Sequence, residues 1–463
     1  MIGGLGSLLA AAPTPSVGQA LLLVGGAVAA LLVLILAVRL HAVLALLLVS
    51  FAVAVLGGVP LLEIVPTIQT AMGGILGYIT LVIGLGAIFG EMLERSGGAR
   101  RLALALLDRA GAERAPAAFA ATGLLVAIPV FFDVGFILLL PLLHQTARRT
   151  GRTVLAYALP LLAGLAVAHA FIPPTPGPVA VAGLLGAELG WVIVLGLATG
   201  LPALAVAGLI YGPWIAERIK LETPAEAFVD GDDREDEDEL EAPGFGLSLA
   251  LLALPLVLIV AGTAATTWSF GAAGDVLRLL GHPIPALLLT VLASTVILGK
   301  RCGWSPEDVE GLVARALRPV GLILLVTGAG GVLGKVLLAT GAGQVLANAL
   351  ESTSIPIFVL AFLLALAVRI AQGSATVSMV TAAGLAGPLV EGASMTQPAL
   401  ALLTLSIAAG ATAVSHVNDS GFWLVSRYLG LSTRDTLRAW TALTLLLGLT
   451  GLAAVLLIAP FVS

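Results

Sequence analysis

Charged side chains are scarce in this chain. Asp, Glu, Lys and Arg make up 11% of its 463 residues, whereas soluble domains carry about 25%. Hydrophobic residues make up 59% of the chain, and its mean hydropathy is +1.10. This balance excludes an ordinary soluble domain and indicates an integral membrane protein in contact with the lipid bilayer.

Cysteine, basic tracts and nucleotide-binding loops are also missing. The single cysteine, Cys302, excludes an intrachain disulfide. A net charge of −5 without a basic run gives no support for nucleic-acid binding. No GxxxxGKS or GxxxxGKT loop occurs, so nothing indicates ATP-driven chemistry. We therefore predict no enzymatic activity, no cofactor, no metal and no nucleic-acid partner.

Long apolar stretches dominate what is present. Eight of them approach the length of roughly 20 residues that a membrane helix needs, and they lie near 20–37, 42–59, 71–92, 191–213, 247–265, 284–299, 319–339 and 440–460. Arg39 follows the first stretch and no basic residue precedes it, which favours a retained span over a signal peptide. Four further apolar regions are interrupted by polar residues. We expect an all-α polytopic membrane protein.

The sequence contains two similar halves. His169 and His416 lie in matching polar interruptions, 247 positions apart (416 − 169). A row of three glycines returns 244 positions later: Gly84, Gly86, Gly90 and then Gly328, Gly330, Gly334. We predict a first repeat over 20–216 and a second over 246–461. The segment 217–245 between them holds nine acidic residues between positions 230 and 241 and is predicted to be a solvated cytoplasmic linker, with a regulatory role as the alternative.

The placement of lysine and arginine predicts the orientation. By the positive-inside rule, basic clusters mark cytoplasmic loops, and they occur at 39, 95–114, 148–152, 218–220, 300–318 and 427–438. The loops near 60–70, 186–190, 340–355 and 391–397 contain no Lys or Arg and should be external. This assignment puts both termini outside.

Two segments are predicted to enter the membrane and return. The basic clusters before 115 and after 147 fall on the same side, although about 30 mostly apolar residues separate them. We therefore expect a re-entrant helical hairpin over 115–147. The corresponding segment of the second half, 355–390, should enter from the opposite side. The halves are thus predicted to be inverted repeats, as in secondary transporters with alternating access around a midplane site.

Two further segments, 153–186 and 397–428, are predicted to be broken helices. Prolines 173, 174 and 176 remove backbone donors from the first, and the polar run 415–421 interrupts the second. A broken helix exposes N–H groups that attract carboxylates. The breaks and the hairpin tips supply the candidate substrate-binding residues: Phe132, Pro174, Thr175, Gly177, Gln372, Gly373, Ser374, Thr376, Ser415, Asn418 and Ser420.

Four ionisable residues are candidates for proton coupling: Asp133, Asp419, His169 and His416. Ionisable groups inside a membrane are costly and functional by default, which favours a functional role for the aspartates over the capping of a broken helix. For the histidines, coupling and simple hydrogen bonding within a broken helix remain alternatives. The glycine rows are interpreted as sites of close helix packing.

At these residues the sequence resembles the gluconate permease family of bacterial proton symporters. The segments that carry the resemblance are, in the family's order, 131–136 (FFDVGF), 169–178 (HAFIPPTPGP), 369–376 (RIAQGSAT) and 415–423 (SHVNDSGFW). The resemblance runs from about Arg39 to the C-terminus. Two positions depart from the family pattern: Asp133 stands where a glutamate is usual, and Thr175 where a histidine is common.

The resemblance implies the fold class and the substrate class. The fold would be that of an ion transporter, with paired re-entrant hairpins, a dimerising scaffold and an elevator-like transport domain. Substrates would be small hydroxylated monocarboxylates such as gluconate and related sugar acids, glycerate or D-serine. We therefore expect a homodimeric, proton-coupled importer of gluconate or a related hydroxy-acid in the bacterial inner membrane. A sodium-coupled carboxylate transporter, a channel and a non-transporting membrane sensor remain alternatives.

Overall fold

In the computed structural model, every element of regular secondary structure in the described residues is a helix. These residues are 15–219, 242–267, 271–342, 345, 356–391 and 395–462. Most of the predicted linker 217–245 lies outside them, as does most of the predicted external loop 340–355.

The helices follow one another in this order: α1 (Val17–Leu36), α2 (Ala42–Leu56), α3 (Leu61–Arg95), α4 (Gly98–Val126), α5 (Phe132–Thr150), α6 (Leu155–Phe171), α7 (Pro176–Leu185), α8 (Leu189–Leu204), α9 (Phe245–Thr267), α10 (Gly271–Gly281), α11 (Pro283–Arg301), α12 (Pro306–Leu317), α13 (Val320–Ala339), α14 (Ile357–Gln372), α15 (Ala375–Glu391), α16 (Gln397–Thr412), α17 (Ser420–Tyr428) and α18 (Ala442–Ile458). α8 continues through the π-helical segment Ala205–Tyr211 into Gly212–Ala216. The short helix Thr433–Thr436 and the π-helical segment Leu437–Thr441 lead into α18.

Eight helical stretches of the described chain are long and apolar enough to cross a membrane. Seven of them coincide with apolar stretches predicted from the sequence. The predicted span 42–59 corresponds to α2, whose 15 residues are shorter than a crossing needs. The eighth stretch is instead Leu155–Leu185, formed by α6 and α7 around their break. The prediction of an all-α polytopic membrane protein is confirmed.

Each of the four polar segments singled out in the sequence contains a helix break. The breaks lie at 127–131 between α4 and α5, at 172–175 between α6 and α7, at 373–374 between α14 and α15, and at 413–419 between α16 and α17. α4 is also kinked at Gly111, where φ is 69°. At the third break Gly373 has a φ of 81°, a left-handed conformation that glycine adopts without steric cost.

α6 and α16 form the centre of the molecule. Both are apolar on all sides and almost wholly buried, as expected of helices that are surrounded by other helices. α4 packs on α6 and α14 packs on α16. A methyl group on Gly164 would lie 2.7 Å from the backbone nitrogen of Leu124, and one on Gly410 would lie 3.0 Å from the carbonyl carbon of Phe362. Glycine therefore allows both pairs of backbones to approach closely.

The two glycine rows lie on α3 and α13, and the last glycine of each row lies against the backbone of a neighbouring segment. Gly90 faces the carbonyl group of Pro129 in the first break. On α13, a methyl group added to Gly334 would meet the carbonyl oxygen of Gly384, on α15, at 2.8 Å. Gly90 and Gly334 thus allow close backbone approach of α3 to the α4–α5 break and of α13 to α15.

Candidate functional site

A cavity of about 340 Å³ lies where three of the four helix breaks meet. Its volume is at the lower end of the range for small-molecule sites. Ten of the residues predicted from the sequence line it: Phe132, Asp133, His169, Gln372, Gly373, Ser374, Thr376, Asn418, Asp419 and Ser420. The segments α4–α5, α6–α7, α14–α15 and α16–α17 therefore all contribute to one site.

Five predicted residues do not line this cavity: His416, Pro174, Thr175, Gly177 and Ser415. Pro174 and Thr175 border a separate space of about 20 Å³, to which His169 also contributes. Gly177 packs on Met379, whose sulfur atom would lie 2.6 Å from an added methyl group. The α6–α7 segment thus reaches the cavity through His169 on α6, whereas the break at 172–175 packs inside the protein.

Thr175 is buried, and its hydroxyl group is engaged within its own segment. The Oγ1 atom donates to the carbonyl oxygen of Ile172 at 2.6 Å. It precedes α7 at the N-cap position without accepting a capping hydrogen bond. Its observed role is therefore to satisfy a carbonyl group freed at the break.

Three helices begin at the wall of the cavity. The first residues of α5, α15 and α17 are among the lining residues. Helix N-termini present unpaired N–H groups and the positive end of the helix dipole, so they favour an anion. The C-terminal ends of α6 and α14 also border the cavity, but three carbonyl oxygens near the end of α14 accept hydrogen bonds from Arg369, His416 and Asn418.

Arg369 supplies the positive charge of the cavity, and it was missing from the predicted set. It is located on α14 and only 4% exposed. Its Nη2 atom lies 2.5 Å from Oδ2 of Asp419, and its Nη1 atom donates to the carbonyl oxygen of Gly373. A lone arginine in the apolar run of α14 was the sequence signal, because such residues are functional by default.

Asp419 is held by three kinds of donor. Besides Arg369, its Oδ2 atom accepts a hydrogen bond from the Ser415 hydroxyl group. Its Oδ1 atom accepts from the backbone N–H of Gly421 at 3.1 Å, which makes Asp419 the N-cap of α17. Trp440 in turn donates from Nε1 to Ser415 Oγ at 2.7 Å. Although Ser415 is not a lining residue, it therefore positions one that is.

Hydrogen bonds join the break between α16 and α17 to the C-terminal end of α14. Asn418 donates from Nδ2 to the carbonyl oxygens of Ile370 and Ala371, at 2.8 and 3.3 Å. The Nε2 atom of His416 lies 3.1 Å from the same Ile370 oxygen. These contacts satisfy the end of α14 and leave the Oδ1 atom of Asn418 available to accept a hydrogen bond in the cavity.

Asp133 and His169 are the other ionisable residues of the cavity wall. Asp133 is exposed in the first turn of α5 and forms no ion pair within the described part of the chain. The preceding residue, Phe132, packs on Trp440 with ring centroids 5.6 Å apart. The Nδ1 atom of His169 is buried and has no hydrogen-bond partner among the described residues. Both groups therefore keep hydrogen-bonding capacity for a ligand or for water.

A second, larger cavity of about 630 Å³ lies at the ends of α3 and α12. Four arginines and three acidic residues line it: Arg95, Arg100, Arg101, Arg315, Glu94, Glu307 and Asp308. These arginines belong to clusters that the sequence assigns to the cytoplasmic surface. The cavity reaches none of the four helix breaks, so the smaller cavity is the candidate site.

The family can now be assigned. A model of the GntP family permeases matches residues 19–461. This chain belongs to the GntP permease family. It is 38% identical over 430 residues to the low-affinity gluconate transporter of Escherichia coli K12, covering 92% of this chain and 95% of that one. It is also 36% identical to a gluconate permease of Pseudomonas aeruginosa, over 92% and 95% of the two chains, and 33% identical to one of Bacillus subtilis, over 95% and 99%.

Solved transporter structures share the fold of this GntP permease. The YdaH transporter of Alcanivorax borkumensis matches with a TM-score of 0.62 at 16% identity, over 87% of this chain and 90% of that one. MtrF of Neisseria gonorrhoeae matches with a TM-score of 0.58 at 17% identity, over 85% and 83%. The resemblance to gluconate permeases is thus confirmed, and the family is one of transporters and not of enzymes.

Proposed function

We propose that this GntP permease is a secondary transporter that imports gluconate or a related small hydroxylated monocarboxylate together with a proton. The observation that carries the proposal is the chemistry of the 340 Å³ cavity: one buried guanidinium, three helix N-termini and several hydroxyl and amide groups converge on it. Positive charge suits a carboxylate, and the neutral polar groups suit hydroxyl groups. The names of its relatives support gluconate as the first substrate to test.

Roles follow from the groups each side chain offers. Arg369 provides the counter-charge for the substrate carboxylate. The hydroxyl groups of Ser374, Thr376 and Ser420 and the amides of Gln372 and Asn418 are proposed to bind the substrate hydroxyl groups. The Nε2 atom of Gln372 is buried without a hydrogen-bond partner among the described residues, so it keeps a donor for this purpose.

Two carboxylates can accept the coupled proton. Asp419 is paired with Arg369, whereas Asp133 is exposed and forms no ion pair within the described residues. We propose that Asp133 exchanges protons with water in the cavity and passes them to the buried Asp419. His169 and His416 are the remaining candidates, and of the two His169 borders both the main cavity and the small space behind it.

The proposal includes a membrane arrangement. The four segments with helix breaks would form two re-entrant hairpins, 115–147 and 355–390, and two broken helices, 153–186 and 397–428, in inverted repeats. Both termini would be external, with the acidic linker in the cytoplasm. By family resemblance we also propose a homodimer in the bacterial inner membrane, with the segments that line the cavity moving together as in an elevator.

The test is uptake of labelled hydroxy-acids into proteoliposomes that contain the purified protein. Gluconate should accumulate in sodium-free buffer when a pH gradient, acidic outside, is imposed, and a protonophore should abolish the accumulation. A requirement for sodium would instead favour sodium coupling. Flux that neither saturates nor accumulates substrate would indicate a channel, and the absence of any flux would leave a sensor.

A further inference from the structure

One cation serves two anions in the proposed transport cycle. Arg369 is the only Lys or Arg that lines the cavity among the described residues. It already forms an ion pair with Asp419, with 2.5 Å between Nη2 and Oδ2. The two side chains are 5% and 11% exposed. Separating a buried ion pair leaves an uncompensated charge in a medium of low dielectric constant. A substrate carboxylate must therefore share this cation with Asp419 or displace it.

The remaining contacts of Asp419 hold it in place as an anion. The Ser415 hydroxyl group and the backbone N–H of Gly421 both donate to it. Arg369, by contrast, has five N–H donors, and its hydrogen bonds to Asp419 and Gly373 use two of them. The guanidinium could therefore bind an incoming carboxylate through two parallel hydrogen bonds once Asp419 no longer needs its charge.

Counting charges indicates what must change when substrate binds. With His169 counted as neutral, Arg369, Asp133 and Asp419 give the cavity a charge of −1. A monocarboxylate would make it −2 in a site shielded from water, which is costly. One proton bound together with the substrate restores the original charge. A proton on Asp419 does more than restore the total, because it removes the competitor for Arg369.

We propose that Arg369 exchanges partners during transport: protonation of Asp419 releases the guanidinium, which then binds the substrate carboxylate. The proton comes from external water and forms an O–H bond on Asp419. On the cytoplasmic side it returns to water as Asp419 regains Arg369 and the substrate leaves. This inference rests on the proposed function and assigns the coupling to one exchangeable ion pair.

The other titratable groups that face the pair must be tested beside it. They are Asp133 on α5 and His169 on α6; His416 also lies close, with Nε2 directed at the Ile370 carbonyl oxygen on α14. If the exchange occurs, none of these three residues sets the pH dependence of binding. Their effect should fall on the rate at which protons reach Asp419.

The experiment is the affinity for gluconate, measured by isothermal titration calorimetry on the purified full-length protein between pH 5 and 9. In the parent, affinity should fall about tenfold for each pH unit above the midpoint, as expected for one coupled proton. Asp419→Asn should bind gluconate with an affinity that does not change with pH. Asparagine is also a good N-cap, so α17 keeps its start.

Glu91→Gln is the matched control. Glu91 also pairs with an arginine, Arg315, at 3.0 Å, but outside the cavity. The same carboxylate-to-amide change at this position should leave the pH dependence of the parent intact.

Ser415→Ala tests the same exchange without removing either charge. Loss of the donor to Asp419 makes protonation easier, so the midpoint of the binding curve should move to higher pH, by roughly one unit. Arg369→Gln should bind no gluconate at any pH.

Two results would overturn the exchange. One is an Asp419→Asn protein whose affinity follows pH like that of the parent. The other is an unchanged midpoint in Ser415→Ala. Loss of the pH dependence in Asp133→Asn or His169→Asn, with Asp419→Asn behaving as the parent, would assign the proton elsewhere. If the parent protein transports no hydroxy-acid, the proposed function itself is contradicted. If proton-driven transport is normal but either overturning result is found, only the exchange of partners by Arg369 is contradicted.

Discussion

At the scale of single residues, substitution of Asp133 can distinguish proton transfer from substrate binding. It is exposed in the cavity, whereas Asp419 is buried and paired with Arg369. We expect Asp133→Asn to slow uphill uptake driven by a pH gradient by at least about tenfold, because an amide cannot carry a proton between water and Asp419. Exchange of labelled for unlabelled gluconate across the membrane should persist, because it requires no net proton movement.

The control for this substitution is Asp275→Asn. Asp275 is an exposed carboxylate on α10 that pairs with Arg278 at 3.3 Å, outside the cavity. Gluconate uptake and exchange by the Asp275→Asn variant should match those of the parent protein. If Asp133→Asn slows exchange as much as uphill uptake, Asp133 acts in binding and not in proton transfer.

Thr175 is expected to matter for stability and not for substrate choice. Replacement by valine keeps the shape but removes the hydrogen bond to the Ile172 carbonyl group. The Ile172 carbonyl oxygen still accepts from the backbone N–H of Thr175 at 3.4 Å, so loss of the hydroxyl donor should cost about 0.5 to 1.5 kcal/mol of folding free energy. A lower unfolding temperature with an unchanged order of competition among gluconate, glycerate and D-serine is the expected result. A changed order would return Thr175 to the substrate site.

The sequence identified most of the site residues by chemical type, and its omissions have physical causes. Polar residues in apolar segments pointed to Asp133, Asn418 and Asp419, which line the cavity. Sequence cannot tell which side of an irregular segment faces a cavity, so it predicts Thr175 as a lining residue although the Thr175 hydroxyl group bonds within its own segment. Arg369 is harder to identify because it is a single charge near the end of a long apolar helix. The one sequence signal there is the free-energy cost of placing a charge in an apolar segment.

At the scale of helices, close packing of α14 on α16 should control the geometry of the site. A methyl group on Gly410 would lie 3.0 Å from the Cβ atom of Ala365 on α14. We expect Gly410→Ala to cost about 1 to 3 kcal/mol, because overpacking forces the backbones apart. The same displacement moves Arg369 on α14, so the affinity for gluconate should also fall. Thermal unfolding and binding measurements check the two effects.

Gly77→Ala provides the comparison. Gly77 lies within α3, and an added methyl group has no atom within 4 Å. Alanine is the better helix former, so this variant should be as stable as the parent or slightly more stable. Equal losses in the two variants would mean that contact between α14 and α16 is not the cause.

The helix breaks were easier to predict than the helices that surround them. Prolines at 173, 174 and 176 and polar residues at 415–421 interrupt apolar runs, and the backbone is irregular at both places. The span predicted over 42–59 is a 15-residue helix instead, since hydropathy alone cannot distinguish a complete crossing from a shorter apolar helix. The C-cap of α2 is Gly57, the next residue, Gly58, has a φ of 80°, and Pro60 precedes α3, so these residues end the helix before it reaches the length of a crossing.

At the scale of the whole molecule, the membrane arrangement can be tested with two cysteines. Arg114 and Arg148 are both exposed and flank the first predicted hairpin. In a Cys302→Ala background, Arg114→Cys and Arg148→Cys should both react with a membrane-impermeant maleimide from the cytoplasmic side alone. Two re-entrant arms return to the side of entry, whereas complete spans would not.

The control variant is Ala187→Cys, in a loop predicted to be external. It should react only from outside. Labelling of Arg114→Cys and Arg148→Cys on opposite faces would replace the hairpin with complete spans and would remove the basis for inverted repeats in the first half.

The contact between Trp440 and Ser415 gives the protein an optical probe of its own. Trp440 is one of six tryptophans, and among the described tryptophans only its indole lines the cavity. Its ring N–H is one hydroxyl group away from the carboxylate of Asp419. Indole emission responds to the charge and polarity next to the ring, so fluorescence excited at the tryptophan band should report the electrical state of the transport site in unlabelled protein, and a Trp440→Phe variant would identify the part of the signal that arises there.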